Sequence, residues 1–270
     1  MGSSGLVAAM ADVVARGIDI SSHQGEIDFA KVRAAGYSYV IIKAGQGLRE
    51  FQTFRGKYLP AVLAAGLDWG AYWWSDAVTV DEARREAEVF VAALGKLRPT
   101  YPVYMDQEYA SPCGQWGLNQ GKQTRTDMAA AFLQTLEQAG YYAGLYASKD
   151  WLEHWVNADK LKNYDKWVAQ YAAKCTYGGA YGMWQHHGDV PGFVGRCPGI
   201  SVPVDLNDCY RDYPAIIKAN GLNGWGAQEP SGEMVPRGEY ESMKAERDAL
   251  QTKYDGLVAD IQAVISKYRG

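Results

Sequence analysis

The chain has 270 residues, 47% of them hydrophobic, and a formal net charge of -4. This length and hydrophobic content are enough for one barrel-sized domain with a short appendage. The 27 basic and 31 acidic side chains are mixed along the sequence, so no basic stripe indicates a nucleic-acid partner. No run of about 18 uninterrupted apolar residues occurs, which argues against membrane insertion by a helix.

The first segment, residues 1–15, is predicted to be an N-terminal extension or a remnant of cloning. It has no basic region ahead of its apolar stretch, and Asp12 interrupts that stretch. A secretory signal peptide is therefore not supported.

Residues 16–217 alternate short strand-like runs with helical stretches, the pattern of a barrel or layered sheet with outer helices. The candidate strands are residues 17–21, 39–44, 68–74, 102–106, 142–147, 166–171, 181–185 and 202–206. Eight such strands indicate a closed barrel.

Four candidate helices have apolar residues spaced three or four apart. They cover residues 27–35, 57–65, 80–94 and 124–139. A glycine follows each one, where a residue without a Cβ adopts the left-handed terminal conformation at the lowest cost. These glycines are Gly36, Gly66, Gly95 and Gly140.

The C-terminal part of the chain changes in character. Residues 218–238 are rich in Gly, Pro and polar side chains without periodicity, which predicts a linker. Two stripes then repeat every seven residues, one of Met243, Leu250, Leu257 and Val264, the other of Tyr240, Arg247, Tyr254, Ile261 and Tyr268. They are the d and a positions of a heptad, so we expect residues 239–269 to form a coiled-coil helix that joins copies of the chain into a homo-oligomer.

Two carboxylates, Asp106 and Glu108, stand two residues apart at the carboxyl end of a predicted strand, so both side chains emerge on one face. Glycosidic-bond hydrolysis needs a protonated acid for the leaving oxygen and a second carboxylate for the charge that develops at the anomeric carbon. A close pair pushes the two pKa values apart and can supply both roles. Taken alone, this spacing is more often found on solvated strand ends.

Asp19 and Asp205 also lie at or near the carboxyl ends of predicted strands, where barrel enzymes gather their active-site groups. On spacing alone, a turn or a helix cap is an equally good interpretation of each. If the functional interpretation holds, four acids line one rim.

Eight sequence blocks occur in an order that resembles family 25 of the glycoside hydrolases, the phage and bacterial muramidases. They are GIDISSHQGEIDFAKV, YVIIKAGQG, GAYWW, YPVYMDQE, GLYAS, WVAQY, MWQ and VDLN. The resemblance implies an α/β fold, an irregular barrel of eight strands with fewer than eight helices. It also implies cleavage of the β-1,4 bond between N-acetylmuramic acid and N-acetylglucosamine in bacterial peptidoglycan.

The resemblance further implies roles for individual residues. Glu108 matches the proton donor, and Asp106 matches the carboxylate that steadies the 2-acetamido group of the substrate, while Asp19 and Asp205 complete the rim. Substrate contacts are expected from Tyr72, Tyr146, Trp184 and Gln185.

No metal and no cofactor are expected, because the histidines, among them His23 and His186, have no partner at a metal-ligand spacing. The four cysteines, Cys113, Cys175, Cys197 and Cys209, lack CxxC spacing, and we expect free thiols. His186, His187 and Cys113 depart from the commoner family pattern, as do Met105 and Gln107 beside Asp106.

Two other functions are considered. A chitinase-type barrel would carry a longer DxxDxDxE motif, whereas residues 99–108 hold acids only at positions 106 and 108. A catalytically weak module that binds cell-wall glycan is the alternative from another functional class. A phage enzyme made in the host cytoplasm and acting on the cell wall needs no signal peptide, and a secreted enzyme is the other option.

Overall fold

The computed structural model describes residues 12–114 and 121–226, together with the single helical positions Lys253 and Gly256. One compact unit ends at Gly226. Apart from those two positions, the predicted coiled-coil segment 239–269 lies outside the described residues, as do residues 1–11 of the predicted extension. The coiled coil stays a prediction.

Eight strands close into a barrel, and a ninth, short strand extends one of them. The strands are β1 (Ala15–Ile20), β2 (Tyr39–Gln46), β3 (Arg49–Glu50), β4 (Asp68–Trp74), β5 (Val103–Asp106), β6 (Ala143–Ser148), β7 (Asp165–Ala169), β8 (Met183–His187) and β9 (Asp205–Cys209). Neighbours around the barrel run β1, β2, β4, β5, β6, β7, β8, β9 and back to β1. All neighbouring pairs from β1 to β8 are parallel, whereas β9 is antiparallel to both β8 and β1.

Five α-helices occur within the described ranges. They are α1 (Phe29–Ala34), α2 (Leu59–Ala64), α3 (Val80–Leu94), α4 (Lys122–Gln138) and α5 (Tyr213–Ala219). Helix α3 begins at a capping box, in which the Thr79 side chain accepts from the Glu82 N–H and the Glu82 carboxylate accepts from the Thr79 N–H. The four predicted terminal glycines all have positive φ, between 52° at Gly95 and 92° at Gly36. The predicted barrel with fewer than eight helices is confirmed.

The core has two layers, because alternate residues of each strand point to opposite sides. The outer layer packs strand residues such as Val40, Ile42 and Trp73 against the helices. The inner layer fills the amino end of the barrel with Tyr39, Ile41, Tyr101, Tyr104, Trp167 and Tyr213. This aromatic floor fills the interior at the amino end, and the cavity described below opens at the opposite end, where the parallel strands finish.

The structure differs from the sequence-based expectation in several places, among them the following. The last strand begins at Asp205, three residues later than predicted, and the two-residue strand β3 was not predicted. Residues 218–226, assigned to the linker, pack on the barrel instead. Buried Asn223 donates to the carbonyls of Pro99 at 2.9 Å and Tyr101 at 3.0 Å and accepts from the Tyr142 N–H at 2.8 Å.

Candidate active site

A cavity of about 600 Å³ opens where the parallel strands end. Its ionisable lining residues are Asp19, His23, Lys43, Asp106, Glu108, Tyr72, Tyr146, Tyr171, Asp189 and Asp205. The structure thus brings all four predicted acids into one cavity. Within the described ranges, no group of three or more His, Cys, Asp or Glu side chains could hold a metal ion.

Asp106 is the last residue of β5, and only 3% of it is exposed. Glu108 follows two residues later and is half-buried. Between them, Gln107 points away from the cavity, because its Oε1 accepts from Trp151 Nε1 at 3.3 Å and its Nε2 donates to the Arg125 carbonyl at 3.3 Å. Anchoring this middle side chain in the outer layer directs both carboxylates into the cavity.

The pKa of Asp106 is raised well above its usual value, first by burial and then by the charge of Glu108. Burial also raises the pKa of Glu108. Because burial raises the pKa of both neighbours, the pair can hold one protonated acid beside one carboxylate. Oδ1 of Asp106 is buried and has no hydrogen-bond partner among the described residues.

Lys43 on β2 also lines the cavity and is not among the site residues predicted from the sequence. Its positive charge lowers the pKa of both Asp106 and Glu108, while burial lowers the pKa of Lys43 itself. Its Nζ donates to Gln46 Oε1 at 3.3 Å and lies 4.7 Å from the centre of the Trp74 ring. A lysine inside the apolar run YVIIKA was the available signal.

Asp19 and Asp205 face each other across β1 and β9. Burial raises the pKa of Asp19 to about 6, although its Oδ2 accepts from Asn207 Nδ2 at 2.7 Å and from Gln185 Nε2 at 3.0 Å. Burial, followed by the charge of Asp19, raises the pKa of Asp205 to about 9. At neutral pH we therefore expect a protonated Asp205 beside an ionised Asp19.

Asp205 lies at this rim, but at the opposite end of its strand from the one expected. It was predicted at the carboxyl end of a strand, but it is the first residue of β9. Because β9 runs antiparallel to its neighbours, its amino end lies beside their carboxyl ends. The residue is at the predicted rim, whereas its predicted position in the strand is wrong.

Gln185 connects Asp19 to two tyrosines. Its Oε1 accepts from Tyr146 Oη at 2.8 Å and from Tyr171 Oη at 3.0 Å, while its Nε2 donates to Asp19. Tyr146 and Gln185 were predicted as substrate contacts and both line the cavity; Tyr171 was not predicted. This network fixes the orientation of Gln185, so that its amide group is a rigid part of the wall.

Of the two remaining predicted contacts, the structure places only Tyr72 in the cavity, where its ring meets Trp167 edge to face. Trp184 is on the opposite face of β8 from Gln185, and its Nε1 donates to the Gln170 carbonyl at 2.8 Å. Trp184 therefore does not line the cavity. His186 shares that outer face and lies 3.7 Å from Asp208, whereas His23 is at the cavity mouth.

All four cysteines are free thiols, as expected. Burial raises the pKa of Cys113, Cys197 and Cys209 to about 11 or 12. Such thiols are inert at neutral pH, because the reactive form is the thiolate. The chemistry of the cavity therefore rests on carboxylates.

The chain matches one family model and several solved structures. Residues 18–193 match the family model of glycosyl hydrolases family 25. A bacterial lysozyme from Streptomyces coelicolor has a similar structure, with a TM-score of 0.65 and 23% identity over 78% of this chain and 98% of that chain. The CTP1L endolysin has a TM-score of 0.63 and 24% identity, over 76% of this chain and 70% of that chain. A muramidase from Acremonium alcalophilum has a TM-score of 0.60 and 23% identity, over 77% of this chain and 99% of that chain. No curated protein matches the sequence.

The structural similarities, at these low identities, establish the fold, and the family match covers well over half of the sequence. Its matched region includes Asp19, Asp106 and Glu108, the acids already brought together by the barrel. The chain therefore belongs to family 25 of the glycosyl hydrolases and is a glycoside hydrolase.

Proposed function

We propose that this chain is a muramidase, which hydrolyses the β-1,4 bond between N-acetylmuramic acid and N-acetylglucosamine in bacterial peptidoglycan. The observation that carries the proposal is the buried pair Asp106 and Glu108 at the mouth of a family 25 barrel. The similar structures named above are a lysozyme, an endolysin and a muramidase, which supports this choice of substrate.

In the proposed mechanism, Glu108 is the general acid. Burial raises its pKa and so favours the protonated form, whose proton goes to the glycosidic oxygen as the bond to the anomeric carbon breaks. Lys43 limits this rise in pKa, so that Glu108 can also lose the proton and later accept one from the attacking water.

Asp106 acts on the substrate rather than on the leaving group. Its buried Oδ1 has no donor in the described part of the chain, and an acetamido N–H of the substrate would satisfy it. Held in this way, the acetamido oxygen attacks the anomeric carbon from the face opposite the leaving oxygen. Water then opens the resulting ring, and the product keeps the original anomeric configuration.

Asp19 and Asp205 complete the proposed site from the other side of the barrel, with Tyr72, Tyr146 and Gln185 as the sugar contacts. Asp19 orients Gln185 and accepts a hydrogen bond from the protonated Asp205, whose other oxygen can accept one from a sugar hydroxyl. The Gln185 amide, held by Tyr146, is placed to bind one sugar without reorganisation.

The enzyme is proposed to act on the cell wall. Within the described part of the chain, no helix is long and apolar enough to cross a membrane. A phage-encoded enzyme made in the host cytoplasm and a secreted enzyme would both meet this substrate at the wall.

The test compares the wild type with Glu108→Gln and Asp106→Asn on purified cell wall and on chitin, with reducing ends measured. Both variants should lose at least about a thousandfold in rate, because an amide can neither donate the proton nor carry the charge. Glu88→Gln, on the exposed surface of α3, is the control and should keep full activity.

Two results would contradict the proposal. If Glu108→Gln keeps a tenth of wild-type activity, Glu108 is not the general acid. If NMR shows an inverted anomer as the first product, the acetamido group does not take part. Faster release from chitin than from cell wall would favour a chitinase, and wall binding without cleavage by the wild type would favour a binding module.

A further inference from the structure

Two large aromatic side chains are exposed beside the catalytic pair. Tyr109 follows Glu108 directly and is 43% exposed, and Trp155 is 37% exposed. Their rings meet edge to face, with centres 5.6 Å apart and planes at 78°. We call this pair the Tyr109–Trp155 platform. Exposed aromatic rings that touch each other next to a cavity are typical of a binding surface.

The platform is held rigid by one carboxylate. Asp150 accepts hydrogen bonds from Tyr109 Oη and, at 3.1 Å, from Trp155 Nε1, and it also contacts His154 Nδ1 at 3.0 Å. Both rings are therefore oriented before any ligand arrives, which lowers the entropic cost of binding.

One side of Trp155 is already occupied. The Trp151 ring lies nearly parallel to it at 6.2 Å, and the Arg125 guanidinium lies 5.1 Å from its centre. The exposed area of Trp155 thus belongs to its outward side. A flat apolar ring bordered by the polar side chains of Asp150 and His154 suits a pyranose, whose C–H face packs on aromatic rings while its hydroxyl groups bond at the edge.

The platform is continuous with the catalytic pair. Glu108 lines the cavity, and Tyr109, the next residue in the chain, is exposed. The platform therefore begins where the chain leaves the cavity.

We propose that the Tyr109–Trp155 platform binds a further sugar of the same glycan strand, beyond the two sugars that flank the cleaved bond. This assignment rests on the proposed function of the cavity. Its consequence is a preference for long glycan strands over short ones.

The test compares Trp155→Ala with Trp225→Ala. Trp225 is a matched control, because it is 36% exposed and its Nε1 donates to the Pro99 carbonyl at the other end of the barrel. On long, peptide-free glycan strands, Trp155→Ala should raise KM by about three- to tenfold, the value of one aromatic contact. On the shortest cleavable oligosaccharide, both variants should match the wild type.

An equal rise in KM on long and short substrates, or no rise on either, would overturn the proposed role of the platform. Tyr109→Ala repeats the test through the second ring if Trp155→Ala does not fold. Binding of an octasaccharide of alternating N-acetylglucosamine and N-acetylmuramic acid to Glu108→Gln, with and without Trp155→Ala, separates the two proposals. If the wild type cleaves no glycan, the proposed function fails, and a Trp155-dependent affinity in this assay still establishes the platform.

Discussion

Folding buries Asp19 beside Asp205 and raises the pKa of Asp19 from its usual 3.8 to about 6. Between these pH values the folded protein binds more protons than the unfolded chain, so its stability falls as the pH rises. This loss of stability is absent below pH 3.8 and complete above pH 6. Since one pKa unit corresponds to about 1.4 kcal/mol, ionising Asp19 costs on the order of 3 kcal/mol at pH 7.

Asp19→Asn should remove most of this cost. The amide oxygen can still accept from Asn207 and Gln185, and the new amide N–H groups can donate to Asp205, which ionises more easily once the neighbouring charge is gone. We expect the free energy of unfolding at pH 7 to rise by up to about 3 kcal/mol, or roughly 6 to 12 °C in Tm for a domain of this size. Hydrolysis should fall, as expected for an acid retained at a functional site.

Thermal unfolding by circular dichroism at several pH values between 3.5 and 8 measures the effect. The variant should be more stable at neutral pH, and its advantage should shrink toward pH 3.5. Asp127→Asn, on the exposed surface of α4, serves as the control and should follow the wild type. An Asn variant that is no more stable at pH 7, or whose advantage is independent of pH, would refute the reasoning.

Three further predictions concern other parts of the molecule. Lys43→Met should raise the pKa of Asp106 and Glu108 and move the pH–rate profile of hydrolysis to higher pH; an unmoved profile would contradict the role of Lys43. Asn223→Ala should lower the free energy of unfolding, measured by chemical denaturation, by about 3 kcal/mol, because a buried N–H and two buried carbonyls lose their partner. Its kcat at 25 °C should be unchanged. A loss below about 1 kcal/mol would show that water replaces the side chain. By light scattering, the full chain should be oligomeric and a chain that ends at Gly226 should be monomeric. If both are monomeric, the predicted coiled coil is wrong.

The order of the barrel elements could be predicted from the sequence because its signals are local. Helix α3 was predicted with the bounds the structure shows, since its apolar spacing and its terminal Gly95 lie within one stretch of chain. The pair Asp106 and Glu108 could be selected for the same reason, because a strand places residues two apart on one face.

The direction of a strand is not a local property. Nothing in the residues of β9 marks its direction, and only its pairing with β8 and β1 makes it antiparallel and brings Asp205 to the rim by its amino end. The same limit explains Trp184. Both faces of β8 are buried at Trp184 and Gln185, so alternation in the sequence does not reveal which of them points into the barrel.

The sequence by itself determined which acids are available and that a barrel would hold them. Tertiary structure alone decided their chemistry, because the pKa values depend on burial and on charges from other strands. Lys43 comes from β2, Asp106 from β5 and Asp205 from β9, and they meet only when the barrel closes. Burial and these neighbouring charges then determine which carboxyl groups keep a proton at neutral pH.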